Sequence, residues 1–337
     1  MADLTRLHEL IDGFARAKVA VLGDLVADVY LFAQSRRVSR EAPVLVMDYV
    51  NEKCIPGGAA NAVNNVKSLG AAPYAIGVVG DDSFGEILRH TLEQAAISTE
   101  HIFVDPARPT TTKQRIVGSG LHTTFQQMLR IDRGRRDEMP PAVEARIEQA
   151  LVDLAERCDA VIVSDYAYGI FSDRVIERVN ALAESGRAKI LVDSRYRLCA
   201  FRGAYTMTPN EPEAAEAAGL EIRNENDVRR AAEVIRGRTG CETLLITRGK
   251  EGMMLFEGNG EFVAPIFGSD QIADVTGAGD TVIATFAAAT AAGATPMEAT
   301  VLSNVAGGLV VMKSGTATVR ADEMHRAIEL EDPWPAS

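Results

Sequence analysis

Five short runs set the architecture: KVAVLGD at 18–24, YAIGVVGDD at 74–82, AVIVSDY at 160–166, KILVDSR at 189–195 and TLLITRG at 243–249. Each is a nearly unbroken apolar stretch that ends on a polar or glycine turn. A strand with one face in water alternates apolar and polar residues, whereas a continuous apolar run suits a strand covered on both faces. Between the runs lie segments of helical periodicity, FGEILRHTLEQA, AVEARIEQALVDLAER, SDRVIERVNALAES and NENDVRRAAEVIRGR, which start on polar or acidic residues or close to them. The alternation predicts an α/β fold with a central, mainly parallel sheet between two helical layers. The most apolar region, from Val282 towards Met312, is cut by Gly293, Pro296 and Glu298 before about 18 apolar residues accumulate, so it predicts a buried Ala-rich helix pair and no membrane span.

Two stretches break this rhythm, at about 29–53 and about 109–132. They are rich in strand formers, basic or polar residues interrupt them, and no helical stripe runs through them. Each follows a strand of the α/β core, so they are expected to pair into a small second sheet over the carboxyl edge, where open α/β sheets bind ligands. Such a sheet would act as a lid; the alternative is two unrelated surface excursions.

The formal net charge of −12 argues against a polyanionic partner, and no nucleic acid is expected. Cys54, Cys158, Cys199 and Cys241 have no metal-ligand spacing and are expected as buried reduced thiols. The first residues, MADLTRLHELIDGFARAK, lack the apolar core and cleavage site of a leader, which points to the cytoplasm.

The stretch DVTGAGD at 274–280 places glycines before an apolar helical run. The amides of Gly277, Ala278, Gly279 and Asp280 would converge at a helix N-terminus, where the dipole favours negative charge. No Lys-Ser/Thr follows the glycines and GxGxxG is absent, which removes the Walker and dinucleotide classes. Taken alone, the stretch reads first as a helix cap at Asp280 with the glycines making the turn. Three further segments add weight: PGGAAN at 56–61, where Gly57 and Gly58 allow close approach and Asn61 offers a donor and an acceptor; GDLVAD at 23–28, which puts Asp28 near a strand end; and TPNEPE at 208–213, where Asn210 and Glu213 either hold hydrated Mg²⁺ or simply start a helix.

Together, PGGAAN, N-x-x-E at 210–213 and DVTGAGDT at 274–281 resemble the signatures of the ribokinase, or PfkB, family of carbohydrate kinases. The resemblance covers nearly the whole chain. It points most closely to the D-glycero-β-D-manno-heptose 7-phosphate kinases, through SREAPV at 39–44, VSDYAYG at 163–169 and TPNEPE. It implies a ribokinase-like three-layer αβα sandwich, one kinase domain over 1–337 with the lid inserted in it, and no nucleotidyltransferase domain of the kind that bifunctional relatives append. It also implies phosphoryl transfer from ATP, with Mg²⁺ and a possible K⁺, to the C1 hydroxyl of the heptose 7-phosphate. The product is the 1,7-bisphosphate used for ADP-heptose and lipopolysaccharide core.

The same resemblance assigns residues. Asp280 matches the catalytic base, and Gly277, Ala278 and Gly279 the anion hole. Asp28, Gly57, Gly58 and Asn61 match sugar-binding positions; Arg195 stands at a family lysine, and the basic residues of the two lid stretches, Arg36, Arg37, Arg40, Lys113 and Arg115, are the remaining candidates for a sugar phosphate, the alternative being a solvated strand face. Asn210 and Glu213 match the Mg²⁺ and phosphate motif; Thr247, Arg248, Gly249, Asn304 and Gly308 fall in the nucleotide region. Asp274 and Thr276 match part of a monovalent-cation site, completed by carbonyls of KSGTATV at 313–319. A homodimer through the lid strands is expected by analogy with relatives.

Three positions depart from the heptose-kinase pattern: Tyr168 stands for one lysine, Arg195 for another, and Val29 for an arginine. They leave room for a PfkB kinase of another sugar, sugar phosphate or nucleoside. A catalytically idle sugar or nucleotide sensor is a further alternative, against which the retained Asp280 and N-x-x-E speak.

Overall fold

The computed structural model describes residues 4–119, 125–268, 274–313 and 315–334. In chain order the strands are β1 (Lys18–Gly23), β2 (Leu25–Val38), β3 (Leu45–Gly58), β4 (Ala72–Gly80), β5 (Ile102–Asp105), β6 (Thr112–Ser119) and β7 (Gln126–Arg133). They continue with β8 (Ala160–Asp165), β9 (Lys189–Ser194), β10 (Thr206–Met207), β11 (Thr243–Thr247), β12 (Met253–Glu257) and β13 (Gly260–Ala264). The helices are α1 (Leu4–Gly13), α2 (Ala59–Ser68), α3 (Ser83–Gln94), α4 (Pro141–Ala155) and α5 (Asp173–Ser185). After them come α6 (Glu211–Ala218), α7 (Glu225–Thr239), α8 (Ala278–Ala291), α9 (Pro296–Val311) and α10 (Ala321–Leu330).

Among the described residues, nine strands form one sheet in the order β13-β12-β11-β10-β9-β8-β1-β4-β5. It is parallel from β11 to β5, and the β12–β13 hairpin adds an antiparallel edge. The continuous apolar runs are explained by two cores. Val19 and Val21 of β1 join one hydrophobic cluster with α1, α2, α8 and α9, while Ala20 and Leu22 join the other with α4, α5 and α7. Ala160 and Ile162 of β8 divide from Val161 and Val163 in the same way. With successive side chains on opposite faces, each strand must be apolar at every position. The expected Ala-rich pair is α8 and α9, both largely buried.

From β1 the chain runs outward to β4 and β5, then returns to build β8 to β11 on the other side. The gap between the carboxyl ends of β1 and β8 is therefore the switch point at which such sheets form a crevice. Asp24 and Tyr166 follow those two ends.

A second sheet, ordered β3-β2-β6-β7, stands apart. β2 pairs antiparallel with β3 and parallel with β6, and β6 pairs antiparallel with β7. One residue, Asp24, separates β1 from β2, and β3 passes directly into α2. Residues 120–124 of the second irregular stretch lie outside the described ones.

Two details differ from expectation. Cys158 and Cys241 are buried, but Cys54 and Cys199 are only half-buried, because they lie on the small sheet and on a surface turn; all four are free. The β12–β13 hairpin was not anticipated. Near the end of the described residues, Trp334 packs edge-on against Phe262, with ring centres 6.3 Å apart; residues 335–337 lie outside the described ones. Among the described residues no helix is long and apolar enough to cross a membrane.

Candidate active site

The glycine loop opens α8 as its composition demands. Gly277 is the residue before the helix, with φ at +80°, a backbone conformation that a side chain disfavours. A Cβ there would also meet Asn61 Nδ2 at 2.5 Å. The first bond of helical spacing runs from the Thr281 amide to the Gly277 carbonyl. The amide of Ala278 turns back to the Val275 carbonyl at 3.2 Å, so it is already engaged. The amides of Gly279 and Asp280 belong to the first helical turn, whose donors lack intrahelical acceptors.

Asp280 is buried, and both its oxygens are held. Oδ2 accepts from Asn61 Nδ2 at 2.8 Å and Oδ1 from the Tyr166 hydroxyl at 2.9 Å. Burial pushes its carboxyl up to about 6, against the lowering effect of those two donors and of Lys113; Asp28 pushes the same way as burial. Asn61 is itself braced, since its carbonyl oxygen accepts from Asn65 Nδ2 at 3.2 Å and Asn65 in turn accepts from the Thr281 hydroxyl. α2 and α8 are thus cross-linked through polar side chains next to the acid.

On one side of Asp280 opens a cleft of about 520 Å³, within the range of small-molecule pockets. Its lining gathers three interacting acids, Asp193, Glu213 and Asp280, and apolar side chains that include Met253, Ile266 and Val311. Asp193 is pushed well above the carboxylate range by burial, then by Glu213 and Asp280, with Arg195 opposing. Burial raises Glu213 as well, against its bonds from Asn210 and the charge of Arg195. Asn210 and Glu213 bond reciprocally at 2.9 Å as a capping box at the start of α6. Among the described residues no group of three His, Cys, Asp or Glu side chains is placed to hold a bare ion.

Thr247, Arg248, Gly249, Asn304 and Gly308 all line this cleft. Arg248 is turned into the protein, its Nε donating to Glu211 at 2.8 Å. Asn304 Nδ2 donates to the Pro265 carbonyl, and a Cβ on Gly308 would come within 2.3 Å of the Phe267 carbonyl, so a side chain there is excluded.

On the other side of Asp280 lies the small sheet. Lys113 and Arg115 alternate along β6 and face one side of it. The Lys113 ammonium and the Arg195 guanidinium each stand 4.7 Å from the centre of the Tyr166 ring. Lys113 is held below the ordinary lysine range by burial first and by Arg195 second. Arg115, expected at the substrate, is bonded to Asp28 at 2.6 Å, with both side chains buried. Gly57 makes room for that pair, because a Cβ would stand 2.4 Å from Asp28 Oδ2; Gly58, at φ +55°, turns the chain into α2. Asn61 likewise is engaged inside the protein. Arg36 and Arg37 are exposed at the far end of β2, with Arg36 near Asp48 at 3.8 Å.

Asp274 accepts from the amides of Thr276 at 2.9 Å and Gly315 at 3.0 Å. These bonds hold its carboxyl below the usual range against burial, so it is charged. Ser314, within the stretch expected to complete a cation site, lies outside the described residues.

Sequence reasoning missed Asp193, Tyr166 and Asp24 as parts of the site. Each stands at a β8, β9 or β1 carboxyl end, a position that the alternation of runs does reveal.

The model of the pfkB family carbohydrate kinase matches residues 16–323. The bifunctional protein HldE of Syntrophotalea carbinolica is 36% identical over 327 residues, covering 97% of this chain and 66% of that protein. The HldE of Pelobacter propionicus is 38% identical over 329 residues, with the same coverage. The chain spans about two thirds of the length of these curated relatives. Among solved structures, Arabidopsis thaliana ribokinase complexed with ribose and ATP aligns over 93% of this chain and 99% of its own, with a TM-score of 0.70 at 17% identity. Escherichia coli phosphofructokinase-2 with substrates and products aligns over 94% and 99%, with a TM-score of 0.72 at 15% identity. These two share the fold. Since the family pattern runs from just before β1 into α10 and takes in both sheets and the cleft between them, this chain belongs to the pfkB family of carbohydrate kinases.

Proposed function

We propose that the protein transfers the γ-phosphoryl group of ATP to the C1 hydroxyl of D-glycero-β-D-manno-heptose 7-phosphate, as one kinase domain with the small sheet as its lid. The observation that carries this reading is a buried carboxylate, Asp280, on the lining of an acidic cleft and beside a pair of cations that share one ring, Lys113 from the small sheet and Arg195 from the cleft lining. A nucleotide has the cleft; a substrate that brings its own phosphate suits the cations. The motif resemblance and the similarity to HldE proteins support the heptose as that substrate.

In the reaction, the sugar hydroxyl forms a bond to the γ-phosphorus as the bond to the bridging oxygen of ADP breaks, and Asp280 takes the proton. With its carboxyl at about 6, Asp280 is charged at neutral pH and its first task is to orient the hydroxyl. The amides of Gly279 and Asp280, with Gly277 shaping the turn, face charge on the transferring group. The apolar part of the cleft lining, which also includes Gly308 and Asn304, suits a purine. Asp28, held by Arg115, and Asn61, held on Asp280, line the sugar side from β2 and α2.

Mg²⁺ fits this donor set: Asp193 and Glu213 are raised by burial and, for Asp193, by the other acids, and a hydrated divalent cation arriving with the nucleotide would relieve them through water. It would neutralise the β- and γ-phosphates. K⁺ beside the charged Asp274 and Thr276 is the weaker fit, because both Asp274 oxygens already accept amides. A cytoplasmic homodimer completes the proposal. Tyr49 of β3 and Met128, Leu129 and Ile131 of β7 are exposed, and pairing of two small sheets would cover such residues; a monomeric mass in solution overturns this.

The decisive experiment measures ATP consumption against phosphorylated and unphosphorylated sugars and identifies the phosphorylated carbon by phosphorus NMR. Turnover of the heptose 7-phosphate to the 1,7-bisphosphate is expected. Activity confined to unphosphorylated sugars or nucleosides overturns the heptose assignment.

A further inference from the structure

Tyr166 stands where the cleft, the acid and the two cations meet, yet the chemistry above gives it no task. Its hydroxyl holds Asp280 Oδ1 at 2.9 Å while Asn61 holds Oδ2 at 2.8 Å, so two elements fix the carboxylate plane. Its ring lies 4.7 Å from both Lys113 Nζ and Arg195 Cζ, cations from the small sheet and from the end of β9. Like charges so placed repel, and an aromatic face attracts each of them.

The loop that carries Tyr166 is fixed with unusual care. Buried Asp24 accepts from the amides of Tyr166 at 2.8 Å and Tyr168 at 3.1 Å, and Asp165 accepts from Ala167 at 3.0 Å. Ala167 is held at φ +60°, a left-handed conformation that a Cβ disfavours. At Gly169, with φ +91°, a Cβ would come 2.1 Å from the Asp137 carbonyl. Strain of this kind persists where the surroundings over-determine it. Its product is the placement of one ring and one hydroxyl.

We propose that Tyr166 is a positioning residue with two separable tasks: its hydroxyl sets the orientation of Asp280, and its ring gathers Lys113 and Arg195 into a receptor for the substrate's phosphate. The second task rests on the sugar-phosphate reading; the first does not. One side chain then aligns the base and presents the anion site, so recognition of the phosphate and readiness of the base share a support.

The groups that face Asp280 are Asn61 from α2, Tyr166 from the loop after β8, Lys113 and Asp28 from the small sheet, and Asp193 and Arg195 from β9 and its end. Of these, the Tyr166 hydroxyl lowers the Asp280 pKa, so its removal moves the acid limb of the rate profile to higher pH.

The test compares Tyr166→Phe and Tyr166→Leu in the full chain, with kcat and KM measured for sugar phosphate and ATP across the acid limb. Phe keeps the ring and drops the hydroxyl: kcat is expected to fall about tenfold with the acid limb displaced upward, and KM for the sugar phosphate to stay within about twofold. Leu drops both: the same fall in kcat, with KM for the sugar phosphate raised about tenfold more and KM for ATP unchanged. Wild-type kcat and an unmoved limb in the Phe variant overturn the first task. Equal sugar KM in the Phe and Leu variants overturns the second. Should the Leu variant fail to fold by thermal melting, Tyr166→Met makes the same comparison. If the wild type turns over unphosphorylated sugars alone, the heptose reading and the ring's task fall together, while the hydroxyl's task is judged on kcat and pH with that sugar.

Discussion

The two sides of Asp280 are built on opposite electrostatic plans. On the cleft side, the acids Asp193 and Glu213, both raised by burial, line the space proposed for the triphosphate, beside the backbone amides that open α8 and the capped start of α6. On the small-sheet side, Lys113 stands over the Tyr166 ring and Arg115 is neutralised by Asp28, while Arg195, on the cleft lining, shares that ring with Lys113. Under the proposed function, the difference means that a phosphate site need not be basic. Where a divalent cation accompanies the ligand, acids suit it; where a phosphate comes alone, the protein must supply the positive charge.

Breaking the centre has the largest expected effect. Asp280→Asn removes the proton acceptor shared by both sides, and kcat is expected to fall about 10³-fold, with ATP affinity by calorimetry within about twofold. Near-normal turnover would end the assignment. Next, Lys113→Met removes a cation from the sheet side alone: KM for the sugar phosphate is expected to rise about tenfold or more, with KM for ATP unmoved. A rise in KM for ATP instead would erase the division between the sides. Glu213→Gln tests the cleft side, and the Mg²⁺ concentration for half-maximal rate is expected to rise about tenfold without change in sugar KM.

The smallest effect sharpens the boundary between the two plans. Burial places the Asp280 carboxyl at about 6, so the charged form is lost as pH falls through that value. The rate is expected to be half-maximal there and to drop further below it. A midpoint near the ordinary carboxylate value would mean that Asp280 is more hydrated with substrates bound than burial implies.

The main sheet was legible because its strands are buried on two faces, which forces Val19 to Leu22 and Ala160 to Val163 to be apolar throughout. The helix opening at Gly277 was legible for a similar local reason, the need for a positive φ. What escaped depends on register between distant strands. β2 and β6 pair Asp28 with Lys113 and Tyr30 with Arg115, and that offset lets Arg115 reach Asp28 and leaves Lys113 for Tyr166. No local pattern encodes such an offset across more than eighty residues of chain. The loss of a lysine to Tyr168 looked like a gap in substrate recognition; in the structure that residue is buried, and its amide helps to anchor the loop on Asp24.

The direct passage of β3 into α2 has a practical consequence for protein engineering. No linker lies between the strand whose Gly57 packs on Asp28 and the helix whose Asn61 holds Asp280. Replacing β3 to alter sugar preference is therefore not a surface graft: a shift in its last turn is delivered to Asn61, and a library at 45–58 has to be screened for turnover as well as for affinity.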